Sequence, residues 1–309
     1  MSRLAAVLIA TIAAVPRLPA QTPDRGEGSV RHHPEYVVQT AWLAAHLDAP
    51  DVVVLHVGHS DEQYRAGHVP GALFLPISAV ATTVGGVANE FPAPEQLAAT
   101  FQALGVGDAS RIVTYGDDPG LLAARVWIAL DLLGHDAQAA LLDGGLARWT
   151  AEHRAVETTA RTPHPAPFTP HWRSDRVVTA DWVRSHLGDA RVLLVDARPP
   201  DQYAGSAADG RSGHLPGAVS LYWMNSFVSA ADPALRPMHD LHETLWKSVG
   251  ADRPAVRTVV AYCRTGMQAS FDYFVARYIG YPDVRLYDGS MSEWALLPAE
   301  AYPVERSSR

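Results

Sequence analysis

A second cysteine is missing from this chain: Cys263 stands alone among 309 residues. No intrachain disulfide and no CxxC zinc ribbon can form, so the thiol is either a packed core residue or a reactive one. A basic excess is missing too. Lys and Arg number 25 against 33 Asp and Glu, and the net charge of −8 argues against the basic face of a nucleic-acid binder. No run of like charges forms an interaction tail, and a monomer is expected. Long apolar runs are also lacking. Leu4 to Val15 is shorter than the roughly 20 residues of a spanning helix. With Arg3 before it, Pro16 after it and the small Ala20 beyond, the stretch reads as a secretory signal over residues 1–20. An exported protein, periplasmic or secreted, is expected, with no membrane span once the signal is removed.

What the chain does contain is ample apolar material: 48% hydrophobic against 19% charged residues can bury a core and excludes wholesale disorder. The chain also repeats itself. Gly67-His68-Val69-Pro70-Gly71-Ala72 returns as Gly213-His214-Leu215-Pro216-Gly217-Ala218. Val113-Thr114-Tyr115 returns as Val260-Ala261-Tyr262, and Asp143-Gly144-Gly145 with Trp149 returns as Asp288-Gly289-Ser290 with Trp294. Three motifs in one order, at nearly one interval, mark a duplicated domain. We place the halves at residues 35–156 and 177–305. Residues 157–176 join them, and Pro163, Pro165, Pro167 and Pro170 make that joint an extended linker.

In each half, short apolar strands alternate with helical stretches. Val52–Leu55, Ile112–Tyr115, Val192–Val195 and Thr258–Tyr262 read as buried strands, and Leu121–Leu133 and Gln268–Ile279 as helices. The pattern predicts an α/β fold with mainly parallel sheets flanked by helices, and ligands beyond the carboxyl ends of the strands. Cys263 falls at such an end. The loop Cys263-Arg264-Thr265-Gly266-Met267-Gln268 then enters a helix, where unpaired N–H groups and the dipole favour an anion. Arg264 adds a positive charge, and Gly266 permits a positive φ. These features predict a thiolate at neutral pH.

The residues now on the page resemble the tandem-domain rhodanese family of sulfurtransferases. The Gly-His-x-Pro-Gly-Ala motif in both halves carries the resemblance, with Tyr262-Cys263-Arg264-Thr265-Gly266 and Tyr287-Asp288-Gly289-Ser290-Met291-Ser292-Glu293-Trp294. It covers nearly the whole chain after the signal. It implies two similar domains, with a nucleophilic cysteine in the second and a first domain that has lost its own. Gly116 stands where Cys263 would be, followed by Asp117 and Asp118, whose charge would repel an anionic substrate. The expected chemistry moves sulfur from a small anionic donor to a thiophilic acceptor through a persulfide on Cys263, and it needs no metal or organic cofactor.

Arg264, Thr265, Gly266, Met267 and Gln268 are expected to cradle the substrate, with Arg211 and Arg198 as further cations. Asp196 is expected to support the loop from beneath. Asp196-Ala197-Arg198 is set against Val57-Gly58-His59 of the first half. Gln202 departs from the family's arginine before the aromatic. In the family a Cys-Arg-x-Gly loop goes with thiosulfate and a Cys-Gly-Ser-Gly loop with 3-mercaptopyruvate. Arg264 favours thiosulfate, whereas the hydroxyl of Thr265 keeps 3-mercaptopyruvate as the alternative. A phosphatase would need an arginine near Ala269 or Ser270, and a non-catalytic sulfur carrier would not need an intact loop. His68 and His214 read as structural, His32-His33 as tail, and Trp149 and Trp294 as packing residues.

Overall fold

Residues 31–206, 208 and 210–307 are described by the computed structural model. The signal-like segment 1–20 lies outside them. The apolar runs of the first half become β1 (Val37–Val38), β2 (Val52–Gly58), β3 (Leu73–Pro76), β6 (Arg111–Gly116) and β7 (Ala139–Leu142). They form one parallel sheet in the order β1-β7-β6-β2-β3. Helices α1 (Thr40–His46), α2 (Glu62–Ala66), α3 (Pro94–Ala103), α4 (Leu121–Leu132) and α5 (Gly145–Ala151) connect the strands. A small antiparallel hairpin, β4 (Thr82–Val84) with β5 (Val87–Glu90), stands outside the sheet.

The second half repeats the plan. Its strands are β8 (Val177–Val178), β9 (Val192–Asp196), β10 (Val219–Ser220), β11 (Thr258–Tyr262) and β12 (Val284–Tyr287), in the parallel order β10-β9-β11-β12-β8. Its α-helices are α6 (Ala180–Ser185), α7 (Pro200–Ala204), α8 (Met267–Tyr278) and α9 (Ser290–Trp294). No helix among the described residues is long and apolar enough to cross a membrane.

Strand register corrects one expected equivalence. Tyr115 pairs with His56, and Tyr262 pairs with Asp196. Because Tyr115 and Tyr262 are repeat partners, Asp196-Ala197-Arg198 matches His56-Val57-Gly58. The match expected from sequence, Asp196 with Val57, lies one residue off the strand register, and such a slip exchanges the two faces of a strand.

Helix α4 is apolar on nearly all sides because it is covered on all sides. One face meets its own sheet, and the other meets α8. Trp127 of α4 and Phe274 of α8 cross edge to face, with ring centroids 5.1 Å apart. One apolar cluster therefore runs through both halves. The linker is held against the first half: Asp108 accepts from the N–H (2.6 Å) and hydroxyl (2.8 Å) of Thr169, and His171 N–H donates to Leu133. The His32-His33 pair is not a loose tail. His33 N–H donates to the Tyr278 carbonyl, and the His32 ring meets the Ile279 carbonyl at 2.9 Å. Both anchor at the end of α8.

A candidate active site at the end of strand β11

Cys263 follows β11 directly and is 1% exposed. The chain turns there through Gly266, at φ 77°, into α8. A Cβ on Gly266 would collide with Asp288 Oδ1 and lie 2.8 Å from the Asp288 carbonyl, so this site needs glycine for space as well as conformation. The N–H groups of Thr265, Gln268 and Ala269 are directed at the Cys263 sulfur. The expected cradle thus gains Ala269. Gly266 serves differently, donating its N–H to Ser290 Oγ at 3.1 Å.

Ser290 is a functional residue that the sequence reading passed over. Its Oγ also accepts from Cys263 N–H at 3.1 Å and donates to the Tyr287 carbonyl at 2.8 Å. It sits at φ 52°, a strained backbone for serine, where the first half has Gly145 at φ 54°. The change from Gly-Gly to Gly-Ser between the repeats was the signal.

Burial pushes the Cys263 thiol up, Asp196 adds to the rise, and the three N–H groups pull the other way. Burial is the largest cause. The helix start thus favours an anion at a sulfur whose depth opposes one.

A cavity of about 670 Å³ meets the loop at Arg264 and is lined also by Arg198, Arg211, Gln202 and Ser292, while the buried Cys263 is not part of its wall. The three arginines differ. Arg198 is buried and holds Asp196 in a fork, Nε to Oδ1 at 2.9 Å and Nη2 to Oδ2 at 2.5 Å. Arg211 donates to the carbonyls of Ala295 (3.0 Å), Leu297 and Tyr302, which anchors its loop to the segment after α9. Arg264 is exposed. Met267 and Gln268 begin α8, half-buried. His68 and His214 each accept a structural place, stacked on Tyr64 and Tyr203 and hydrogen-bonded to the carbonyls of the same tyrosines at 2.6 and 2.8 Å.

The corresponding loop of the first half explains itself by contrast. Gly116 ends β6 in the place of Cys263. Asp118 fills the helix start: its carboxylate accepts from Gly120 N–H at 2.9 Å and Leu122 N–H at 3.1 Å. Asp117 pairs with the buried His56. The cradle that faces a sulfur in the second half is occupied in the first by a carboxylate of the chain itself.

The family model described as Rhodanese-like domain matches this chain twice, over residues 39–152 and 179–297. The chain belongs to the rhodanese family. Among its relatives, a thiosulfate sulfurtransferase of Pseudomonas aeruginosa is 33% identical over 268 residues, covering 85% of this chain and 94% of that one. A probable 3-mercaptopyruvate sulfurtransferase of the same organism is 34% identical over 269 residues, covering 83% and 93%. The crystal structure of SseA from Escherichia coli, described by its rhodanese fold among 3-mercaptopyruvate sulfotransferases, superposes with a TM-score of 0.73 at 25% identity, over 82% of this chain and 98% of that one. The protein is an enzyme of the sulfurtransferase class, of the thiosulfate/3-mercaptopyruvate type.

Proposed function

We propose that Cys263 carries sulfur from thiosulfate to cyanide or another thiophile. The observation that carries this reading is the set of three N–H groups acting on one sulfur, next to Arg264 at the wall of an arginine-lined cavity. Arg264 holds the dianion at the mouth. The thiol releases its proton to solvent, and the sulfur attacks the outer sulfur of the donor. One S–S bond forms as another breaks, sulfite leaves with the bonding pair, and a Cys263 persulfide remains. A persulfide is more acidic than a thiol and carries its charge one atom further out. The N–H groups of Thr265, Gln268 and Ala269 favour the anion formed on this sulfur. Cyanide then takes the outer sulfur as thiocyanate and restores the thiolate.

The first domain is silent in this scheme, because Asp118 already occupies its cradle. The pattern of residues 1–20 supports export to the periplasm or beyond. The hydroxyl of Thr265 keeps 3-mercaptopyruvate as the second reading, and the cavity has room for the larger keto acid. Measuring kcat/KM for both donors with cyanide as acceptor decides between them. Thiosulfate is expected to lead, and a tenfold or greater preference for 3-mercaptopyruvate would reverse the assignment.

A further inference from the structure

Each domain sends a strap across to the other. In the second domain, residues 227–235, closed by an antiparallel bridge between Phe227 and Leu235, reach the silent loop of the first, and Leu235 N–H donates to Asp143 Oδ1 at 2.8 Å. In the first domain, hairpin β4–β5 reaches the Cys263 loop, and Phe91 N–H donates to Asp288 Oδ2 at 2.9 Å. Asp143 and Asp288 are repeat partners, so the two straps are related by the duplication.

They are not chemically alike. The strap on the silent loop brings Phe227, Pro233 and Leu235. The strap on the Cys263 loop brings an amide: Asn89 Nδ2 donates to Thr265 Oγ1 at 3.1 Å. Asn89 is fixed for the purpose. It has φ 66°, a conformation asparagine tolerates better than most residues, and its carbonyl accepts from Arg125 Nη2. Arg125, fully buried on α4, also holds Asp288 in a fork at 2.5 and 2.9 Å, with its guanidinium 3.4 Å from the Phe91 ring centroid. Asp288 in turn backs Gly266.

The geometry points to Asn89 as a positioning residue for sulfur transfer, supplied by the domain that has no nucleophile of its own. By holding the Thr265 side chain it aims the Thr265 N–H at the Cys263 sulfur. Because the hydroxyl accepts from Asn89, its own hydrogen is free to donate elsewhere. This inference rests on the persulfide reading for its kinetic arm only.

Two variants separate this role from folding. Asn89→Gly keeps the left-handed backbone and removes the amide. Thr265→Val keeps the shape and removes the acceptor. In the full chain, each is expected to keep its Tm within ~3 °C of the parent. The pH midpoint for iodoacetamide alkylation of Cys263 is expected to rise by about half a unit. For sulfur transfer, kcat should fall about fivefold with KM for thiosulfate unchanged. The double variant should be no worse than either single one, because both break the same contact. An unchanged alkylation midpoint in Asn89→Gly, or losses that multiply in the double variant, overturns the inference. Alkylation needs no sulfur donor, so that arm tests Asn89 even where the choice of thiosulfate fails.

Discussion

Asp272 lies fully buried on α8 with neither carboxylate oxygen hydrogen-bonded. Burial, and then the nearby charge of Asp196, push its pKa well above the usual carboxylate range. The folded state therefore holds a proton that the unfolded chain releases at about pH 4. Stability from this group is full below that point and is lost as pH rises towards the folded pKa. Asp272→Asn should accordingly stabilise the protein more at pH 8 than at pH 5, read from urea unfolding at both. An equal gain at the two would show that Asp272 is not neutral in the folded state. At this scale the sequence reading was uneven. Cys263 stood out because strand end, Arg264 and Gly266 are local. The burial that opposes its thiolate was not legible, because depth is a property of the whole sheet. Ser290 was signalled only by the change from Gly145 to Ser between the repeats, and its strain shows only in φ.

The unit that presents the sulfur is the turn from β11 into α8. Its helix start was legible from the apolar run ending at Tyr262 and the glycine three residues beyond Cys263. The facing strand was not, since β9 and β2 fit the repeat equally well in either register until hydrogen bonds decide. Gly266→Ala tests the turn. A Cβ at φ 77° against Asp288 should cost about 2 kcal/mol or more and force the loop outward. At least a tenfold loss of kcat/KM is expected, because the N–H groups would no longer converge on the sulfur. Parent-level activity and stability in this variant would show that the turn can open without consequence.

Duplication organised the whole molecule, and three motif pairs made that visible in the sequence. What the motifs could not reveal is that each domain completes the other. Asn89 and Thr265, like Arg125 and Asp288, are far apart along the chain and belong to different repeats, so no local pattern links them. The packed faces of α4 and α8 hide the same fact, since an apolar helix reads alike whether its neighbour is its own domain or the next. The first domain thus serves as structure around the Cys263 loop, with its own helix start closed by Asp118.

The central claim concerns one atom, and mass spectrometry of the intact chain after incubation with thiosulfate tests it most directly. The account predicts a gain of one sulfur atom, lost on addition of cyanide and absent in Cys263→Ser. No gain in the parent chain, or an equal gain in the variant, would contradict it.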